Sequence, residues 1–280
     1  MYDIQSGRRL IKKLASNVEE GDEDEWMDED AGWERTPISI SVPFHHRMRN
    51  PGPQEYIVGD FYHRTLVSVL REKLKSQRNG PLFHYDGFEL FWKPTEESAD
   101  TRVYGELYTS PAFLDAQREV HNSPREPGCN LPRVVVALMF ASDATHLTNF
   151  GTAKLWPSYL FIGNESKYSR CKPSSHLCNH IAYFQAVSRS GKYYYVSSLS
   201  TSAASGCIQG LCLCTCRKKA PSRAFMAHCW REVIHAQWRI ILDDEFIDAY
   251  EHGIMVECWD GIICRFYPRI LIYSADYPEK

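Results

Sequence analysis

Hydrophobic residues follow two periods along this chain, and where the period changes marks the elements. The run Val134 to Phe140 is apolar and rich in β-branched residues, the pattern of a strand buried on both faces. It ends at Ser142 and Asp143. A second strand is predicted over Leu155 to Gly163, joined to the first by the loop Thr145 to Lys154, and a third over Ile181 to Val187. From Ser222 to His252 the period becomes helical: Phe225, Val233, Ile234, Trp238, Ile241, Leu242, Phe246, Ile247 and Tyr250 recur at helical intervals, with Gly253 as the cap. Acids at Asp243, Asp244 and Glu245 fit a helix start. Residues 254–265 then give a hairpin around Asp260-Gly261. Tyr267 to Tyr273 reads as a final strand, followed by Ser274, Ala275 and Asp276.

Upstream, Phe61, Leu66, Val69, Leu70 and Leu74 predict a helix over Asp60 to Ser76, with Asp60 as its cap. Asp86-Gly87, between the aromatic runs of residues 82–93, predicts a hairpin, and Pro94 to Arg102 a loop. Ser110 followed by Pro111 predicts a capped helix to Asn122. Pro124, Pro127, Gly128 and Pro132 break the chain before the first buried strand.

The order strand, strand, strand, helix, strand is that of a mixed α/β sheet. Three regions follow. Residues 1–55 are expected to be a disordered acidic tail and a Pro-rich linker, with a short amphipathic helix near the start. Residues 56–132 form a helical and hairpin region, and residues 133–280 a core. Residues 188–219, rich in Ser, Thr, Ala and then Cys, have neither period and are expected to be a poorly ordered insertion.

Composition changes this picture little. With 44% hydrophobic and 13% aromatic residues the chain is globular in type. The net charge of −3 argues against binding DNA by bulk charge, but residues 19–34 hold ten carboxylates and no base. Outside that run bases outnumber acids, which suits a phosphate-bearing partner. No signal peptide and no membrane-spanning run is visible, so an intracellular protein without a membrane partner is expected. Its ten cysteines then read as reduced thiols.

The candidate chemistry lies at the strand ends. A strand followed by Ser and then Asp occurs twice, at Asp143 and Asp276. Ligands of open α/β sheets bind at the carboxyl ends of strands, and paired carboxylates there suit a hard divalent cation. Such cations serve phosphoryl transfer on nucleic acids. Ser142, Thr145, His146 and Lys154 could position a phosphate, as could Lys280. Cys171, His176, Cys178 and His180 have the side chains of a zinc site. Their spacing departs from the usual pairs, so ordinary loop residues are the other reading. Cys207, Cys212, Cys214 and Cys216 are a further soft-metal candidate.

Several long segments carry a resemblance: GELYTSPAFLDA, LPRVVVALMFASDATHLTNFGTAKLWPSYLFIGNESKYSRCKP, HLCNHIAYFQ, and FMAHCWREVIHAQWRIILDDEFIDAYEHGIMVECWDGIICRFYPRILIYSADYPEK. Together, over about residues 56–187 and 220–280, they resemble the Plavaka transposases of basidiomycete fungi, which are more distantly similar to CACTA transposases. The resemblance implies a partial ribonuclease H-like fold, an Asp-Asp-Glu catalytic set, Mg2+ or Mn2+ as cofactor, transposon-end DNA as partner and the nucleus as compartment. It implies that Asp143 is the first Asp and Asp276 the second. The third acid is expected beyond position 280, so the chain is expected to be an inactive fragment. The alternatives are a non-enzymatic relic that binds DNA or protein, or a Cys/His zinc module.

Overall fold

The computed structural model describes residues 32–44, 52–77, 80–146, 154–185 and 223–275. The predicted helix within residues 1–18, most of the acidic run, the expected insertion at 188–219, Asp276 and Lys280 lie outside them.

A seven-stranded sheet organises the described chain. Its strands are β1 (Trp33–Phe44), β2 (Gly52–Arg64), β5 (Arg133–Ser142), β8 (Pro157–Ile162), β9 (Asn179–Tyr183), β10 (Ile254–Glu257) and β11 (Ile263–Ser274), in the spatial order β1-β2-β9-β8-β5-β11-β10. The pairs β5/β8 and β8/β9 are antiparallel, whereas β11 runs parallel to β5. The parallel step requires a crossover, which α4 (Arg223–Ile241) and α5 (Asp244–His252) lie within. Two small ribbons stand apart: β3 (Leu90–Trp92) with β4 (Thr101–Val103), and β6 (Thr145–His146) with β7 (Lys154–Leu155).

The two sheet faces are covered unequally. On one, α1 (Leu66–Lys75), α4 and α5 bury Leu70, Leu74, Val233 and Phe246 against Ile38, Phe61, Leu138, Phe140, Leu160 and Phe266. Trp238 of α4 meets Phe140 edge-on with centroids 5.3 Å apart. Gln237 ties the same helix to the exit of β9, accepting from the Gln185 amide at 2.6 Å and donating to its carbonyl at 3.1 Å. The opposite face carries a smaller cluster. There α2 (Pro111–Asn122) sets Phe113, Ala116 and Val120 over Val135, Ala137 and Tyr267. That cover stops short of the Asp143 end of β5, where Met139 and Ala141 are only half-buried.

The buried first strand is borne out: Val134 to Leu138 and Phe140 are buried, although Met139 is not. So is α2, whose Ser110 hydroxyl accepts from the Phe113 amide at 3.3 Å with Pro111 at the first helical position. Asp243 caps α5 by accepting from Phe246 at 2.7 Å, and Gly253 closes that helix.

Other expectations are corrected. Residues 33–44, read as acidic tail and linker, form β1. Prolines 37 and 43 do not prevent it, because β1 lies at the sheet edge, where a missing N–H can face away from the ladder. Phe61 lies in β2 rather than in a helix, and α1 starts only at Leu66. Asp86-Gly87 makes no hairpin turn. Gly87 instead donates to Gln117 Oε1 at 2.7 Å, and a Cβ there would come within 2.7 Å of the Phe113 ring, so the glycine permits close approach to α2. The local hairpin pairs β3 with β4, through residues read as a loop. The third strand is Asn179–Tyr183, shifted toward the amino end. The hairpin after α5 and the last strand share β11. Pro268 interrupts nothing, since β10 pairs only as far as Phe266.

Candidate functional site

Asp143 follows the last residue of β5 and is exposed. Ser142 before it is buried and pairs with Ser158 of β8. The β6/β7 ribbon begins two residues later and sets the backbones of Thr145 opposite Leu155 and His146 opposite Lys154. Three predicted phosphate-positioning residues therefore lie on one short ribbon beside Asp143.

The parallel pairing of β5 with β11 ends at Ala141 opposite Ser274. Asp143 stands two positions beyond the first of these. Position 276 stands two beyond the second in the sequence, outside the described residues. Carboxylate oxygens are the ligands that hard cations such as Mg2+ and Mn2+ take, and Asp143 supplies one at this strand end.

The four zinc candidates are not assembled into a site. Among the described residues no group of three or more His, Cys, Asp or Glu is placed to hold a metal. Cys171 caps the helical turn α3 (Lys167–Arg170), His176 has left-handed backbone at φ 52°, and Cys178 and His180 flank buried Asn179 at the start of β9. Burial pushes the Cys178 thiol up, which disfavours the thiolate a zinc site needs.

His180 belongs to a different constellation. Ala141, Tyr159 and His180 are directly opposed on β5, β8 and β9, so they share the sheet face that α2 leaves open. A register shift between Ser158 and Tyr159 brings Tyr183 onto the same face, opposite Pro157. The His180 ring meets Tyr159 edge-on at 4.7 Å, and its Nδ1 lies 3.4 Å from the Tyr183 hydroxyl. Tyr183 in turn stacks with Trp33 at 5.2 Å. Burial lowers the His180 pKa, keeping the imidazole neutral, and raises that of Tyr159, to which the nearby Cys178, Tyr183 and Asp143 add. This row was invisible to sequence reasoning. Its four rings are scattered from position 33 to 183, and only the strand order and the register shift bring them together.

Behind the opposite end of β8 lies a second missed cluster. Glu165 is 3% exposed, and its Oε2 has no hydrogen-bond partner among the described residues. Burial raises its pKa to about 7, opposed by the nearby Lys73 and Arg170 cations. It lines a small void with Lys73, Leu74, Gly80, Phe83, Tyr85 and Ile162, which is too narrow for an organic substrate.

Compared with known proteins, residues 22–280 match the family model described as Plavaka transposase. No curated protein matches the chain, and no solved structure matches it. Among the described residues, no helix is long and apolar enough to cross a membrane.

Proposed function

This chain belongs to the Plavaka transposase family, and from that premise we propose that it carries the strand-end carboxylates of a metal-dependent DNA cleavage and strand-transfer centre. The fold we assign is ribonuclease H-like: β9-β8-β5 as an antiparallel meander, with β11 parallel beside β5 after a helical crossover. In that arrangement the first Asp follows the opening strand and the second follows the strand next to it.

The observation that carries the reading is the parallel register. Asp143 and Asp276 each occur two positions after a member of the last pair, Ala141 and Ser274. Both carboxylates would hold Mg2+ or Mn2+, which in such sites supplies charge stabilisation to the attacking and leaving oxygens. The chain's own contributions are positional. The β5/β11 pairing fixes the strand ends, and Thr145, His146 and Lys154, on the β6/β7 ribbon that follows Asp143, are the residues proposed to meet a DNA phosphate. Transposon-end DNA is the partner and the nucleus the compartment under this reading. An Asp-Asp-Glu set needs a third acid besides these two, and Asp143 and Asp276 are proposed as its first two members.

The test is Mn2+ binding followed by electron paramagnetic resonance on the 280-residue chain. Asp143→Ala and Asp276→Ala are each expected to abolish the bound-Mn2+ signal while leaving the circular dichroism unchanged. Bound Mn2+ that survives both substitutions would overturn the site.

A further inference from the structure

The sheet face beside Asp143, which no helix among the described residues covers, carries a continuous line of rings that the carboxylate site does not use. Starting from Asp143, it passes Tyr159 on β8, His180 and Tyr183 on β9, and Trp33 on β1, with successive ring centroids 4.7, 6.2 and 5.2 Å apart. Tyr62 of β2 lies directly opposite Tyr183, and Arg35 opposite Tyr62, on the same face. Trp33 is opposite Arg64. His180 is exposed, while Tyr159, Tyr183 and Trp33 are half-buried.

We propose that this stripe is a track for unpaired DNA, along which a single strand lies across β8, β9 and β1 and is led to Asp143. This rests on the transposase reading above and names how its substrate is held.

Three features fit that occupant. Unpaired bases stack on aromatic rings whatever their sequence, and here four rings lie in line on a face that α2 leaves uncovered, with Tyr159 edge-on to His180 and Tyr183 stacked on Trp33. Duplex DNA hides those base faces inside its own stack, so the stripe selects strands that are opened or flapped. His180 adds a polar contact without a charge. Its Nδ1 faces the Tyr183 hydroxyl at 3.4 Å, which leaves Nε2 as the ring nitrogen turned to a bound strand.

The two arginines beside the rings are already engaged in ion pairs. Arg35 donates to Asp60 Oδ2, and Arg64 pairs with Glu72 at 2.7 Å. Stacking therefore has to supply most of the affinity, and the salt dependence should be shallow for a DNA-binding surface.

The experiment measures fluorescence anisotropy of a labelled 12-nucleotide single strand and of the matching duplex with the full 280-residue chain in EDTA. Without divalent metal, binding is read separately from cleavage. We expect the single strand to bind more tightly than the duplex. Trp33→Ala, Tyr159→Ala and Tyr183→Ala should each weaken single-strand binding by about 5- to 150-fold, the range for one stacked base. Tyr159→Phe should keep the affinity, because the ring and not the hydroxyl stacks. Unchanged melting temperatures distinguish lost stacking from lost folding.

Equal binding of wild type and all three alanine variants would overturn the track, even if Asp143→Ala still abolished Mn2+ binding. Conversely, ring-dependent single-strand binding with no Asp143-dependent metal site would leave the track standing and remove the cleavage reading. Deleting residues 188–219 gives a third arm. If single-strand binding appears only after that deletion, the stripe is a packing surface for the chain's own segment and the proposal fails.

Discussion

The Asn164 side chain accepts a hydrogen bond from the Ala137 amide at 2.8 Å, clamping the turn after β8 to the middle of β5. Its Nδ2 donates at 2.8 Å to the carbonyls of Val135 and His84 as well. The buried amide thus stands in for a neighbouring strand where β8 has ended, and joins the segment before β3 to the sheet. Three backbone polar groups depend on one side chain, which is itself fully buried.

Asn164→Ala leaves those groups without partners. Each buried unsatisfied group costs about 1–3 kcal/mol, so the variant should lose about 3–5 kcal/mol after partial relaxation. Urea unfolding should show the midpoint falling with an unchanged slope. Asn164→Asp is expected to be nearly as damaging, since a carboxylate cannot donate to the Val135 and His84 carbonyls. A change under 1 kcal/mol in both variants would show that the clamp contributes little.

Gly163, one residue earlier, is fixed by contact and not by backbone conformation. A Cβ there would come within 2.2 Å of Leu107 Cδ2 and 3.0 Å of Ala137 Cβ. Gly163→Ala should therefore cost about 1–3 kcal/mol through overpacking. Leu107→Ala opens the space, so the double variant should be more stable than the sum of the two single losses predicts. A strictly additive cycle would contradict the contact.

Glu165 makes stability depend on pH in an unusual direction. Its folded pKa of about 7 lies above the ordinary 4.5, so the folded state holds the proton more tightly than the unfolded state. Its contribution to stability is full below pH 4.5, falls as pH rises to about 7, and is constant above that. The loss is on the order of 3 kcal/mol. Glu165→Gln, which is uncharged throughout, should remove this decline and stabilise the protein at pH 8. Parallel stability curves for wild type and variant from pH 4.5 to 8 would refute it.

What the sequence revealed follows from where the signal was local. The buried run of β5, the Ser110 and Asp243 caps and the Asp260-Gly261 turn all depend on residues close in sequence, and each appears as read. β1 was illegible because prolines 37 and 43 signal a linker unless the strand is known to lie at an edge. The adjacency of β5 and β11 was legible only as a repeated strand-Ser-Asp pattern; the parallel pairing itself joins residues more than a hundred positions apart. The four zinc-type side chains in ten residues were read by type alone, and among the described residues they form no group placed to hold a metal. The turn at His176 and the start of β9 keep them from converging. The aromatic stripe was out of reach, because nothing near Trp33 in the sequence points to Tyr183.

The other arm of the pH profile belongs to His63, which is 3% exposed and whose Nε2 lies 2.9 Å from the Thr36 hydroxyl. Burial dominates and lowers its pKa, with the Glu34 charge and a backbone contact at Arg64 opposing it. The folded state therefore binds this proton less well than the unfolded chain does. Stability from His63 is full above the ordinary pKa of 6.5 and is lost as pH falls from there toward the depressed folded value. This slope opposes that of Glu165 between pH 4.5 and 6.5, so wild type should show a shallow profile there. His63→Gln keeps an amide donor for Thr36 but cannot gain a charge. In that background the Glu165 decline should emerge alone, with stability falling steadily from pH 4.5 to 7 in urea titrations at closely spaced pH. A profile unchanged from wild type would mean that His63 titrates alike in both states.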